Sequence, residues 1–168
     1  MYFDMFRQFQ KTLAQVKTWL DKADAHAASL KLDSTVLATT RLTPSQLPLL
    51  NQVQFACDTA KLGAARLTGK EAPTHADDEK SFDQLRARID SVLAYLATFT
   101  AKDFDEAGAR SITQPRWEGK TMTGHDYFFE HVVPNFFFHA SHTYAILRAA
   151  GVPLGKRDYL GTLSQRLP

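Results

Sequence analysis

The stretch EHVVPNFFFHASH, residues 130–142, places three histidines in a segment that is otherwise mostly aromatic and aliphatic. An α-helix turns by 100° per residue, so an arc of about 80° contains His131, Asn135, His139 and His142. These four residues form one polar stripe that is bordered by phenylalanines and valines. Such a stripe predicts one of two things: residues of an interior binding or metal site, or histidines that are hydrogen-bonded at the margin of a core.

The rest of the chain shows helical periodicity in four segments, which begin and end near residues 2–28, 44–68, 78–100 and 121–150. In the first segment, apolar side chains recur at steps of three or four: Tyr2, Phe6, Phe9, Leu13, Val16 and Leu20. This period indicates amphipathic helices that bury one face. The connector at residues 29–42 is rich in β-branched residues and is predicted to be non-helical.

Local signals suggest where the second predicted helix begins and ends. Thr43 and Gln46 have the spacing of a capping box, and Pro44 would then occupy the first helical position. The predicted buried face runs from Leu47 onward, and Gly69 stands where a left-handed C-terminal cap belongs.

The remaining two helices also have candidate caps. Asp77 or Asp78 is the predicted N-cap of the third helix, and Thr121 or Thr123 that of the fourth. Pro134 lies inside the fourth helix, so we expect a bend there and a carbonyl at Glu130 that lacks its usual amide donor.

These elements predict an all-α fold, an antiparallel four-helix bundle with a long loop or short hairpin before the last helix. The whole chain, 168 residues, is expected to form a single domain, because that length buries a sufficient core without disulfides or a structural metal.

Composition excludes several classes of function. The formal net charge is +2, and the basic residues are scattered among acidic ones, so nucleic-acid binding is not expected. No segment reaches the roughly 18 consecutive apolar residues of a membrane-spanning helix. Cys57 is the single cysteine, which favours a reducing compartment, and its place in an apolar stripe favours a buried, unreactive thiol. We therefore predict a cytoplasmic protein.

The second helix carries polar residues that could face the histidine stripe. Gln54, Asp58 and Lys61 follow one another at steps of four and three, and Asp58 is the one anionic ligand among them. A carboxylate on one bundle helix and histidines on another are a common metal architecture, and equally a common way to satisfy buried polar groups. The spacing leaves both interpretations open.

Two segments, NQVQFACDTAKLGAARLTG at residues 51–69 and PNFFFHASHTYAILRAAGVPLGKRDYLG at residues 134–161, resemble a bacterial domain family of unknown function. That family lies within the DinB/YfiT-like superfamily of proposed metalloenzymes, and the likeness extends over nearly the whole chain. The resemblance implies a four-helix bundle, commonly a homodimer. It also implies relatives that use low-molecular-weight thiols and a divalent metal held by three histidines.

The resemblance implies ligand positions that this sequence fills only in part. Two histidines four residues apart are expected on the last helix, and they map to Asn135 and His139. A third is expected on the second helix, where this chain has Gln52, Gln54 and Asp58 at the required level instead. One of three ligands is present. We therefore expect no metal at high occupancy; candidate ligands for zinc, nickel, manganese or iron would be His139, His142 and Asp58.

Two functional classes follow. The favoured one is a protein that binds a small molecule, or a thiol of low molecular weight, in a polar interior pocket with a degraded metal site. The pocket candidates are Gln54, Asp58, His131, Asn135, His139 and His142. The alternative is a divalent-metal-dependent enzyme, a thiol S-transferase or hydrolase, with a non-standard ligand set. No catalytic residue is assigned.

A homodimer is also expected from the phenylalanines of the last helix. They point in too many directions for one core face to cover them: Phe128, Phe129, Phe136, Phe137 and Phe138. A partner, or the loop around Trp117, must cover the remainder.

Overall fold

The structure is a computed structural model and describes residues 1–166. Its long helices are α1 (Tyr2–Ser29), α3 (Leu49–Thr68), α4 (Phe82–Leu96) and α6 (Val133–Ala149), and its short ones are α2 (Thr35–Ala38), α5 (Gly124–Asp126) and α7 (Lys156–Leu160). The four long helices form the predicted antiparallel bundle. Helices α1 and α3 each pack against both α4 and α6.

Large aromatic and aliphatic side chains fill the centre of the bundle. Phe9 of α1 stacks on Phe136 of α6, with 4.0 Å between ring centroids, and Trp19 is fully buried. Burial of apolar surface on this scale is the main stabilising contribution to such a fold. Cys57 lies in the same core, so the prediction of a buried cysteine is confirmed, and burial raises the pKa of its thiol to about 12, which favours an unreactive thiol.

A segment with little regular structure joins α4 to α5, and we call residues 101–123 the hairpin segment. Strands β1 (Ser111–Ile112) and β2 (Met122–Thr123) pair antiparallel within it. Short 3₁₀ turns precede and separate them, at Ala101–Phe104, Ala107–Ala109 and Pro115–Trp117. The predicted short hairpin before the last helix is therefore confirmed.

Helix α3 begins later than predicted. Its N-cap is Pro48, so the predicted start at Pro44 and the capping box of Thr43 and Gln46 are wrong. The reason is Pro48 itself, because a proline disfavours helical geometry at the residue before it. Leu47 is accordingly 48% exposed instead of buried.

The ends of α4 also differ from the prediction. Ser81, and neither Asp77 nor Asp78, is the N-cap, and its side chain forms a capping box with Gln84. Helix α4 ends at Leu96, four residues before the predicted end. The connector after α1 contains the short helix α2, where none was predicted.

Two of the predicted caps are confirmed. Gly69 ends α3 with a left-handed backbone, φ 74°. The Thr123 hydroxyl accepts a hydrogen bond from the amide of Asp126 at the start of the last helical region. That region ends at Ala149, one residue before the predicted end.

The last helical region is not a uniform α-helix. Residues Tyr127–Val132 form a π-helical turn, in which the amide of Val133 donates to the carbonyl of Phe128. This turn directly precedes Pro134, whose missing amide interrupts the α-helical hydrogen-bond pattern. The π-helical turn was not predicted, and both the bend at Pro134 and the way in which the carbonyl of Glu130 is satisfied stay predictions.

The phenylalanines of this region divide between core and surface. Phe128 and Phe136 are fully buried, whereas Phe129 is 41% and Phe138 52% exposed. The homodimer inferred from these rings stays a prediction. Within residues 1–166, none of the helices combines the length and the apolar character that crossing a bilayer requires.

Candidate functional site

A cavity of about 420 Å³ lies between α3 and α6 and is bordered by the hairpin segment. Its residues come from three parts of the chain. Helix α3 provides Phe55, Asp58, Thr59, Leu62 and Arg66, the hairpin segment provides Gln114, Pro115 and Arg116, and the last helical region provides Tyr127, His131, Asn135 and His139.

Three hydrogen bonds fix the relative position of the two helical walls. Arg66 Nη1 donates to the Tyr127 hydroxyl at 2.9 Å, and Asn135 Nδ2 donates to Thr59 Oγ1 at 2.6 Å. The third joins His139 Nδ1 and Gln52 Oε1, which lie 2.8 Å apart. Residue numbers rise along one wall as they fall along the other, so the walls are antiparallel and the cavity runs parallel to both.

The tautomer of His139 follows from its partner. Gln52 Nε2 donates to the carbonyl of Leu47 at 2.9 Å, which leaves Gln52 Oε1 as an acceptor. His139 must therefore donate from Nδ1, and the lone pair of a neutral ring is on Nε2. Burial, together with nearby His142, lowers the pKa of His139 to about 4. The ring is neutral near pH 7, and Nε2 is an acceptor for a ligand.

This lowered pKa predicts a pH dependence of stability. Unfolded His139 titrates near pH 6.5 and the folded ring near 4, so its stabilising contribution is complete above about pH 6.5 and is lost as the pH falls toward 4. We expect His139→Asn, which can keep a donor near Gln52, to flatten the decline of melting temperature between pH 6.5 and 4. His125→Asn, at an exposed ring outside the cavity, is the control and should keep the wild-type slope. Identical slopes for wild type and His139→Asn would contradict the assignment.

A second histidine is held by an arginine of the hairpin segment. Arg116 Nη2 lies 2.7 Å from His131 Nε2, and because a guanidinium only donates, Nε2 accepts and the hydrogen of the neutral ring is on Nδ1. Burial and the charges of Arg116 and Arg66 lower the pKa of His131, which keeps the ring neutral near pH 7. Tyr127 stacks on this ring at 5.4 Å, and Trp117 packs edge-on against both.

The carboxylate of the cavity belongs to a buried ion cluster. Asp58 Oδ1 lies 2.6 Å from Arg88 Nη2 and 2.9 Å from Lys61 Nζ. Arg88 also pairs with Asp77 and Glu79. The charge of Asp58 is therefore offset by two cations, neither of which lines the cavity.

The structure places four of the six candidate pocket residues at the cavity: Asp58, His131, Asn135 and His139. The other two lie elsewhere. Gln54 is buried and donates to Glu79, while His142 Nδ1 donates to the carbonyl of Phe138, one turn earlier on the same helix.

Other lining residues were not anticipated. Arg66 follows Asp58 by eight residues, and Tyr127 precedes His131 by four, so extension of each polar stripe by further turns would have found them. Gln114 and Arg116 lie on an irregular segment, where no periodic signal exists.

The three candidate metal ligands do not come together. Within the described chain, residues 1–166, no three His, Cys, Asp or Glu side chains are grouped so that they could hold an ion. His139 Nδ1 contacts Gln52, His142 Nδ1 contacts a backbone carbonyl, and Asp58 is paired with Arg88. As placed, these three residues do not fit one resident ion.

Comparison with known proteins gives the family. Residues 1–160 match the family described as domain of unknown function DUF1993. The chain belongs to this family. The DUF1993 chain is also similar to the crystal structure of a DinB family member protein from Shewanella denitrificans, determined at 1.83 Å resolution. The two share 47% identity over 100% of this chain and 96% of that one, with a TM-score of 0.97.

The family and fold predicted from the sequence of the DUF1993 chain are thereby confirmed. Among curated proteins, none matches it. What the DUF1993 chain binds must therefore be argued from its own cavity.

Proposed function

We propose that this DUF1993 protein binds a small organic molecule in the cavity between α3 and α6. The cavity volume, about 420 Å³, is within the usual range for small-molecule sites. The observation that carries the proposal is that polar atoms of the cavity residues have unused hydrogen-bonding capacity. Gln114 Nε2 and His131 Nδ1 are buried without a partner among the described residues.

Unpartnered buried polar atoms are rare because each costs about 1–3 kcal/mol. Two such atoms belong to residues of one cavity, and His139 Nε2 is an acceptor in the same cavity. Hydrogen-bonding groups without a protein partner are expected in a binding site that has no ligand bound. Apolar surface is also present, from Phe55 and Leu62. Together they support a ligand with both an apolar body and polar groups. The metal-dependent thiol S-transferase or hydrolase considered above stays an untested alternative.

The test is whether small molecules bind in this cavity. We would titrate ¹⁵N-labelled protein with fragments that include aromatic acids, amines and neutral amides, and follow the amide resonances of Thr59, Asn135 and His139. We expect fragments to shift these resonances with a Kd of about 1 mM or tighter. Leu62→Trp, which fills the cavity, should weaken binding at least about tenfold.

Leu50→Trp is the matched control, because Leu50 is also a half-buried leucine of α3 but lies outside the cavity. It should keep wild-type affinity. Fragments that bind equally well to both tryptophan variants, or no binding by any fragment, would overturn the proposal.

A further inference from the structure

We infer that the ligand carries an anionic group, a carboxylate or a phosphate, and that Arg66, Arg116 and Gln114 bind it at one end of the cavity. This inference rests on the proposed function and specifies the chemistry of its ligand. We call these three residues, with His131, the arginine end.

The two guanidinium groups at this end lack carboxylate partners. In the described part of the chain, neither Arg66 nor Arg116 lies within ion-pair distance of an Asp or Glu side chain. Each hydrogen-bonds to a neutral ring instead, Arg66 to Tyr127 and Arg116 to His131. A guanidinium has five N–H donors, so both retain donors for a ligand.

Arg116 is exposed, whereas Arg66 is partly buried and can be compared with Arg86 and Arg88, the other partly or fully buried arginines of the described chain. Arg86 pairs with Asp21, Asp24 and Asp83, and Arg88 with a second set of three carboxylates. Arg66 differs from both, because no carboxylate of the described residues neutralises its positive charge.

The charges of the cavity agree with this assignment. Asp58 is the one carboxylate among its residues, and its oxygen is already bound by Arg88 and Lys61. The two arginines therefore leave the cavity with a net positive charge that favours an anion.

Additional donors accompany the guanidinium groups. Gln114 is only 8% exposed, and its Nε2 has no partner among the described residues. His131 Nδ1–H is likewise buried and unpartnered. Guanidinium forks and N–H donors form the usual set of donors for a planar carboxylate or a phosphate.

The opposite end of the cavity offers acceptors. His139 lies eight residues, or about 12 Å along the helix, beyond His131 and has Nε2 as an acceptor, while Asn135 uses its Nδ2 on Thr59 and so retains Oδ1. A molecule that spans the cavity would thus pair an anionic group at the arginine end with a hydrogen-bond donor at the histidine end.

Isothermal titration calorimetry with four probes tests the inference: phenyl phosphate, benzoate, inorganic phosphate and neutral benzamide. We expect phenyl phosphate or benzoate to bind at least about tenfold more tightly than benzamide, because a charge-assisted hydrogen bond contributes roughly 1.5–3 kcal/mol. Whichever acid binds more tightly identifies the anion, and inorganic phosphate shows whether the anionic group alone is sufficient.

Two variants locate the anion. Arg116→Gln, at an exposed position, and Gln114→Glu, which keeps the side-chain shape, should each weaken binding of the preferred acid at least about tenfold and change benzamide binding less than about twofold. Lys120→Gln removes a cation from the same segment outside the cavity and should leave all affinities unchanged.

The possible failures are distinct. Equal binding of benzoate, phenyl phosphate and benzamide, or insensitivity of acid binding to both variants, would overturn the anion assignment while small-molecule binding stands. If other fragments shift the cavity amides but neither acid binds, the anion assignment again fails alone. If no fragment and no acid binds, both proposals fail.

Discussion

Replacing Arg88 by methionine will lower the free energy of unfolding by about 3–5 kcal/mol, because it removes one partner of a buried ion cluster and leaves the others. The Arg88 side chain is 1% exposed and pairs with Asp58, Asp77 and Glu79. Burial alone would lower the pKa of Arg88, yet the hydrogen bond to Glu79 and the charge of Asp58 outweigh it and raise that pKa. The charged form of Arg88 is thus favoured over the neutral form within the cluster.

Loss of Arg88 is costly because its partners are themselves poorly hydrated. The Glu79 side chain is 10% and that of Asp58 23% exposed. After the substitution, Asp58 would keep Lys61 as a cationic partner, whereas Glu79 would keep only the neutral donor Gln54 among the contacts of the described residues. The measurement is urea unfolding of wild type and variant at pH 7, followed by circular dichroism.

Arg86→Met is the matched control. Arg86 also pairs with three carboxylates, but Asp21 and Asp83 are 64% and 92% exposed and keep their hydration after the change. Surface pairs of this kind contribute about 0–1 kcal/mol each, so we expect a much smaller loss. Equal losses for the two methionine variants, or a loss of less than about 1 kcal/mol for Arg88→Met, would contradict the assigned role of the cluster.

Arg88 also shows where sequence analysis reaches its limit. Helical periodicity predicted α4 from Leu85, Ile89 and Val92, and the fold followed from four such patterns. Arg88 lies next to this apolar face, where a charged residue normally extends into solvent. Its burial depends on Asp58 and on the loop before α4, which are 30 or fewer residues away in sequence but meet it only in the folded chain.

The predicted N-cap of α4 was wrong for a related reason. At the start of α4, Asp77, Asp78 and Ser81 all have the chemistry of an N-cap. Tertiary contacts decide between them. Asp77, for example, takes a left-handed backbone with φ 58° and pairs with Arg88, so it is not available as an N-cap.

The candidate site was partly predictable for the same physical reason. His131, Asn135 and His139 share one helix face, so the 100° step grouped them correctly, whereas His142 lies within the same arc and yet outside the cavity. Gln114 and Arg116 reach the cavity because the hairpin segment folds back onto the helices. Apart from one glycine, no residue pattern in the sequence predicts that the hairpin segment packs against the helices.

That glycine is Gly124, and we expect Gly124→Ala to lower the free energy of unfolding by about 3 kcal/mol, the upper end of the usual cost of overpacking. A Cβ at this position would lie 1.8 Å from the backbone oxygen of Ala107 and 3.2 Å from Leu67 Cδ2. The oxygen cannot easily withdraw, because Ala107 is buried and the amide of Gly124 donates to the carbonyl of Arg110 at 2.7 Å.

The hairpin segment would therefore have to separate from the start of the last helical region, and Arg116 and Gln114 would move with it. Thermal unfolding and titration with phenyl phosphate measure the two consequences, lower stability and weaker binding of the acid. Gly155→Ala is the control: its Cβ would meet nothing closer than 3.9 Å, so the change in stability should stay within about 0.5 kcal/mol. Equal stability of the two alanine variants would refute the close approach, whereas a destabilised Gly124→Ala with undiminished acid binding would show that the segment positions the arginine end by contacts other than this one.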